Sequence, residues 1–330
     1  MKLSILDQSP IAYGQSAQDA LNDSIALAKL GESLGYERYW IAEHHDLFGL
    51  ACPNPDVMLG VIGSQTNKIK IGAGAVLLPY YKPFRVAETY NLLTTLFPER
   101  IDLGIGRAPG GSAEVSMALS NNYLEQVRKY PELLDELLMF LRNNFPEDHF
   151  FSKIEPTPIP PTPPNVWMLG TSEKSASLAA KRRMNYAFGH FMTDYNGPQI
   201  VNNYRENYKK YNDNEPYVIV AVHVICAATD ELAEELAQSY FLWSILQNVQ
   251  TNKKFIPTMN AAKAYQYTED DLAMIQEKRE TIVIGSPKTV KEKLQAIQHV
   301  YNADELMIIT IVHDKQAVRQ SYRLIAEQFI

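Results

Sequence analysis

The chain predicts an α/β fold, a (β/α)8 TIM barrel, on three observations. Short apolar runs alternate with longer amphipathic ones from one end to the other. Several of the short runs, such as residues 69–78, carry Ile, Val and Leu at successive positions, as a parallel strand covered on both faces does. The alternation recurs eight times, and eight βα units close into a parallel barrel.

Each element has its own signal. Residues 3–6 form the first strand. Residues 17–34 place Leu21, Ile25, Ala28 and Leu34 near helical spacing, and Gly35 ends that helix. Residues 39–42 are the second strand, and Pro53 and Pro55 stop it and launch a helix over 56–66. Residues 69–78 are the third strand, and Pro83 opens a helix that reaches about residue 97. The fourth strand is 101–105. Residues 124–143 read as a long helix that breaks or begins at Pro131. The proline-rich stretch 154–164 has the composition of a linker, but the alternation resumes at once, so it is expected to be a stiff connection inside one domain. Strands at 166–169 and 186–188 precede helices at 174–183 and 199–211. A strand at 217–227 leads to a helix at 232–248, and a strand at 306–312 to a closing helix at 316–328. Between the seventh and eighth strands lies an insertion of about 249–284. It holds a polar stretch around 248–254, a helical stretch at 268–279 and a small extra strand at 281–284. Such insertions on the loop face of a barrel often act as lids. Residues 1–330 are expected to be one domain.

The 330 residues carry a net charge of −7 and no dense basic run, which argues against nucleic acid or an anionic membrane as the main partner. Cys52 and Cys226 are the only cysteines, which suits a reducing compartment and excludes a disulfide framework. The opening residues turn polar too soon for a signal peptide, and no apolar run reaches membrane-spanning length. A cytoplasmic location is expected.

Active sites of such barrels lie at the carboxyl ends of the strands. Those ends carry Asp7-Gln8-Ser9, Glu43-His44-His45, Gly74-Ala75, Arg107, Thr171-Ser172, His190 and His313. Five of the seven histidines (44, 45, 190, 223 and 313) fall on or just after a predicted strand, which favours a site over chance. The run Glu43-His44-His45-Asp46 stands out, because histidine is the side chain suited to proton transfer near neutral pH. Adjacent histidines in an extended segment point opposite ways and chelate poorly, so no metal is expected. Leu169-Gly170-Thr171-Ser172-Glu173-Lys174-Ser175 joins a strand to a helix. Its hydroxyls serve as helix caps, and the same geometry offers free N–H groups to an anion. Arg107 is either a second contact to that anion or a surface ion pair. Gly104-Ile105-Gly106-Arg107-Ala108-Pro109 is a truncated dinucleotide fingerprint without its third glycine, and it does not support a Rossmann domain.

Taken in order, Glu43-His44-His45, Cys52-Pro53-Asn54-Pro55, Gly72-Ala73-Gly74-Ala75-Val76-Leu77-Leu78-Pro79 and Leu103-Gly104-Ile105-Gly106-Arg107 resemble the bacterial luciferase-like flavin monooxygenases. Pro83-Phe84-Arg85-Val86-Ala87-Glu88, Gly170-Thr171-Ser172 and Gly285-Ser286-Pro287 extend the resemblance from residue 1 to about 330. It implies a barrel that takes reduced FMN and O2 and oxidises a small organic substrate, aldehyde-like or similar. It also implies that a separate flavin reductase supplies the reduced FMN, and that two chains pair as a homodimer through the helices after the early strands. By the same resemblance His44 is the catalytic proton handler, with His45 as a structural neighbour. Gly74-Ala75 is a cis bond behind the flavin ring, and Arg107, Ser172 and Ser175 contact the flavin phosphate. Luciferase proper has a cysteine where this chain has Gly106, so light emission is not implied. Two alternatives stay open: a deazaflavin-dependent oxidoreductase of the same fold, and a non-catalytic flavin-binding protein. Phe48, Tyr80, Tyr81 and Met192 are candidates to line the substrate pocket.

Overall fold

The computed structural model describes residues 1–192, 196–211, 214–248 and 255–330, with Asn248 described by its backbone alone. The chain runs β1 (Lys2–Asp7), α1 (Ala17–Leu34), β2 (Arg38–Ile41), α2 (Pro55–Gln65), β3 (Lys70–Leu77), α3 (Pro83–Leu96) and β4 (Ile101–Gly106). It continues through α4 (Ala113–Leu119), α5 (Tyr123–Arg128), α6 (Tyr130–Arg142), β5 (Asn165–Gly170), α7 (Glu173–Lys181), β6 (Asn185–Gly189), α8 (Gly197–Tyr211) and β7 (Val218–Cys226). The last part is α9 (Asp230–Asn248), α10 (Met259–Ala264), α11 (Glu269–Thr281), β8 (Ile282–Gly285), α12 (Pro287–Tyr301), β9 (Glu305–Ile309) and α13 (Lys315–Phe329).

All strand pairs are parallel, in the order β6-β5-β4-β3-β2-β1-β9-β7, and β6 pairs β7 to close an eight-stranded barrel. β8 is the extra strand. It pairs residues 223–226 of β7, above the level at which β9 pairs residues 219–223. It is the small strand expected at 281–284. The polar stretch expected around 248–254 lies outside the described residues, apart from the end of α9.

Local chemistry explains most boundaries. Ser16 caps α1 in a capping box with Asp19, and Gly35 ends it in the left-handed conformation. Asn54 caps α2, and Pro55 takes its first position. The long helix expected at 124–143 is broken: α5 ends at Arg128, and α6 restarts at Tyr130 with Pro131 in its first turn. The proline-rich stretch is pinned to the barrel, with Pro156, Pro160 and Pro164 buried and Nδ2 of Asn91 donating to the Pro156 carbonyl at 2.7 Å.

The floor of the barrel is charged. Arg38 opens β2, Asp102 lies near the start of β4, and Glu305 opens β9. The Arg38 guanidinium donates to Asp102 at 2.7 Å and to both oxygens of Glu305 at 2.7 and 3.0 Å. The indoles of Trp40 and Trp167 donate to the two oxygens of Asp102 at 3.0 and 3.2 Å, and the Tyr217 hydroxyl donates to Glu305 at 2.9 Å. Ser4 also donates to Glu305. Burial opposes the charge on Arg38, but Asp102 and Glu305 outweigh it and raise the arginine's pKa. Every charge here has its partners, as charges taken out of water require.

Candidate active site

Four of the positions singled out from the sequence fall on one arc of the barrel. β2, β3, β4 and β5 are neighbours in the barrel; His44, Arg107 and Ser172 follow the ends of β2, β4 and β5, and Gly74-Ala75 lies within β3.

Glu43 anchors the β2 end. Its carboxylate is buried and takes hydrogen bonds from three sides. His45 Nε2 lies 2.8 Å from Oε1, the Tyr81 hydroxyl donates to the same oxygen at 2.6 Å, and the Leu77 N–H donates to Oε2 at 3.1 Å. Glu43 therefore ties the loop after β2 to the end of β3. His45 is committed to this pair and stacks edge-on against Tyr80. His44 differs: its Nδ1 is buried and has no hydrogen-bond partner among the described residues. Burial, with a smaller push from His45, pulls the His44 pKa down to about 4. The imidazole is therefore neutral at physiological pH, with a ring nitrogen free to exchange a proton. Such an orphaned buried atom calls for a partner that the described residues do not supply.

Within β3 the Gly74-Ala75 bond is cis, and the register with β4 shifts between Ala73 and Val76. The cis bond expected there is present, and it comes with a bulge. β4 is shaped around it. A Cβ on Gly104 would lie 2.1 Å from the Ala73 carbonyl oxygen, and one on Gly106 would lie 3.1 Å from Cβ of Ala75. The glycines that mimicked a dinucleotide fingerprint thus let β4 approach the bulge closely.

Arg107 leaves β4 two residues beyond the paired Ile105, and Gly170 stands two beyond its partner Met168. The Tyr123 hydroxyl donates to the Arg107 carbonyl at 2.9 Å, and Tyr123 packs on Tyr80, so the rim that contacts His45 also fixes the Arg107 backbone. The guanidinium is exposed and has no ion pair among the described residues, which removes the surface-pair reading. Ser172 and Ser175 form the capping box of α7, with the Ser175 hydroxyl donating to the Ser172 carbonyl at 2.7 Å. Tyr186 supports this turn by donating to the Gly170 carbonyl at 3.0 Å. The capping reading holds. It leaves the N–H groups of Glu173 and Lys174 unclaimed among the described residues, at the positive end of a helix dipole.

The other histidines are used elsewhere. His190 meets the Tyr301 hydroxyl at 2.9 Å, and His313 meets the Tyr13 carbonyl at 3.1 Å. His223 lies inside β7, where its Nε2 accepts the Ile311 N–H at 3.3 Å. Burial, with a smaller push from Lys278, drops its pKa to about 3. Of the proposed lining residues, Phe48 and Met192 are exposed, whereas the Tyr81 hydroxyl is committed to Glu43 and that of Tyr80 to the Pro109 carbonyl at 2.6 Å. Among the described residues no three His, Cys, Asp or Glu side chains are placed to hold a metal ion. Among them, too, no helix is long and apolar enough to cross a membrane.

The model of the family described as luciferase-like monooxygenase matches residues 1–301. The chain is 41% identical to the uncharacterized protein YceB of Bacillus subtilis, covering 99% of each. It is 33% identical to the N-acetyl-S-alkylcysteine monooxygenase of the same organism, covering 99% of this chain and 98% of the other. The crystal structure of apo-MsnO8 superposes with a TM-score of 0.87 at 33% identity, over 99% of this chain and 98% of that one. At lower identity the fold alone is shared. The oxygenating constituent of 3,6-diketocamphane monooxygenase from Pseudomonas putida, in complex with FMN, gives a TM-score of 0.73 at 20% identity, over 99% of this chain and 97% of that one. An F420-dependent secondary alcohol dehydrogenase gives 0.67 at 12%, over 98% of each chain. The match over residues 1–301, with relatives at 41% and 33% identity along nearly the whole chain, makes this chain a member of the luciferase-like monooxygenase family.

Proposed function

We propose that the protein is an FMN-dependent monooxygenase that uses reduced FMN and O2 to oxidise a small organic substrate. The observation that carries this reading is the neutral His44 imidazole, whose buried Nδ1 has no partner among the described residues, on the same arc as an arginine and a helix N-terminus that those residues also leave unpaired. That set fits FMN. Arg107 and the N–H groups of Glu173 and Lys174 would hold the phosphate. The turn built by Ser172 and Ser175 keeps those N–H groups in place. The Gly74-Ala75 bulge would back the ring, and His44 would exchange a proton at Nδ1. FMN, when bound, supplies the redox chemistry. We take residues 1–330 to work as one cytoplasmic domain that receives its reduced flavin from a separate reductase.

Absorbance titration against FMN and against the deazaflavin F420 tests the cofactor. FMN is expected to saturate the site with a perturbed flavin spectrum. Saturation by F420 with no response to FMN would overturn the reading. Arg107→Ala should weaken FMN binding about 10- to 100-fold, the worth of a lost charge-assisted contact of about 1.5–3 kcal/mol. Riboflavin, which has no phosphate, should bind the variant and the parent alike. Equal loss for both ligands would place Arg107 away from the phosphate.

A homodimer is part of this reading, and α2 and α3 are its expected interface. Val57 (64% exposed) and Val61 (38%) share a face of α2 with Gly60, whose Cβ position is open space. On the packed neighbour α3, Leu92 (48%) and Leu96 (59%) are exposed one turn apart. Apolar surface of this kind on adjacent helices suits an isologous contact with a second copy. Light scattering should return twice the chain mass for the parent and one chain mass for Leu92→Glu/Leu96→Glu. A monomeric parent at micromolar concentration contradicts the dimer.

A further inference from the structure

Helices α6 and α7 both end beside one groove of about 280 Å³. Arg142, Lys181, Arg182, Arg183 and Asn144 line it, with Asp135 as its one acid among the described residues. Four cations to one carboxylate is an unusual gathering in a chain whose net charge is −7. The groove is remote from the candidate active site. Helix α7 has nine residues, which start after the carboxyl end of β5 and stop just before β6 begins. The groove therefore lies at the opposite end of α7 from Ser172, about 13 Å along the helix at about 1.5 Å per residue.

Contacts within the protein satisfy one of the four cations. Arg182 donates from Nε and Nη2 to the two oxygens of Asp135, at 2.6 and 2.7 Å. Arg142, Lys181 and Arg183 have no ion pair among the described residues. A cation at a helix C-terminus is ordinary, because the dipole favours it, and one for each helix would serve. Here the terminal carbonyls are already bonded. The N–H groups of Asn143 and Asn144 donate to the Phe140 and Met139 carbonyls at 3.3 and 3.2 Å, and those of Arg183 and Met184 to Ala180 and Ala179 at 3.3 and 3.0 Å. Nη2 of Arg142 donates to the Arg182 carbonyl at 3.2 Å. Carbonyls occupied in this way neither use up the remaining cations nor face an incoming anion as bare acceptors.

Arg183 stands in glycine's usual place. It follows the end of α7 with φ at 60°, a left-handed position that glycine takes without steric cost. An arginine there gives up backbone stability and adds a like charge beside three others. We propose that the groove is a binding site for a small, multiply charged phosphate anion of the size of pyrophosphate, held by Arg142, Arg183 and Lys181 with the Asn144 amide as a neutral donor. Guanidinium forks match phosphate oxygens, and lysine adds a point charge. The volume lies just below the range of about 300–1,000 Å³ that drug-sized ligands occupy, which suits an anion of this size and not a whole dinucleotide. The site stands apart from the FMN reading, since it shares no residue with the proposed flavin contacts.

Isothermal titration calorimetry with pyrophosphate, at fixed ionic strength because salt screens exposed charges, tests the site. The full chain carries Arg107→Ala throughout, so that an anion at the start of α7 is not counted. Arg107→Ala is expected to keep one saturable pyrophosphate site. Adding Arg142→Ala or Arg183→Gly should weaken that site about 10- to 100-fold, as the loss of a charge-assisted contact does. Absence of binding in Arg107→Ala, with binding in the parent, would place the anion at the start of α7 and overturn the groove site. Equal affinity with and without Arg142 and Arg183 would overturn it as well, and so would a heat that sodium chloride of equal ionic strength reproduces. The second readout is Tm without phosphate. Arg183→Gly in the parent chain should melt at or above the parent, because glycine suits the left-handed position. A lower Tm would mean that the Arg183 side chain serves the fold, and would overturn its assignment as a binding cation.

Discussion

Replacing His44 by alanine is expected to lower turnover with reduced FMN and O2 by about 10²- to 10⁴-fold, the usual worth of a positioned acid–base group. FMN affinity should change little, because the residues proposed to hold the phosphate lie on other elements, after β4 and at the start of α7. The asymmetry follows from the structure. Among the described residues Nδ1 of His44 makes no hydrogen bond that holds the fold together, whereas His45 is bonded to Glu43. His44→Ala should therefore fold normally. His45→Ala should lose stability, since it strips the Glu43 carboxylate of one of its three donors. Steady-state kinetics beside flavin titration separates the two effects. An unchanged kcat in His44→Ala would remove that residue from the chemistry.

The largest effect on stability belongs to the barrel floor. Arg38→Ala should destabilise the protein by about 3–5 kcal/mol, because it strands Asp102 and Glu305 as buried carboxylates without their cation. Adding Asp102→Asn and Glu305→Gln to Arg38→Met should recover much of that loss, since no uncompensated charge then stays buried. Urea unfolding followed by tryptophan fluorescence is a suitable measurement, because Trp40 and Trp167 both bond Asp102. A midpoint for Arg38→Ala within error of the parent would mean that the floor charges are solvated.

The sequence reading succeeded where a residue's neighbours in the chain decide its conformation. The helix at Ala17–Leu34 carried its own cap residue and its terminal glycine, and the break beside Pro131 followed from the missing N–H. Helix α12 went unassigned, although Ser286-Pro287 is an N-terminal signal and Val290, Leu294 and Tyr301 mark its buried face. The insertion before it drew attention away. Helices α4 and α10, of seven and six residues, are too short to show a period.

The candidate site residues were picked out in the sequence because a barrel collects chemistry at its strand ends. What stayed hidden depends on contacts across the chain. Glu43 gains its meaning from Tyr81 and Leu77, more than thirty residues away. The floor had a usable signal: Arg38, Asp102 and Glu305 each start or nearly start an otherwise apolar strand, at the same level of the barrel. A charge at such a place needs a partner, and the three supply one another.

A crystal structure of the protein with FMN bound tests the central claim most directly. The phosphate is expected on the Arg107 guanidinium and the N–H groups of Glu173 and Lys174, with the ring against the Gly74-Ala75 bulge and within reach of His44 Nδ1. A flavin bound elsewhere, or one whose phosphate avoids Arg107 and the start of α7, would contradict it.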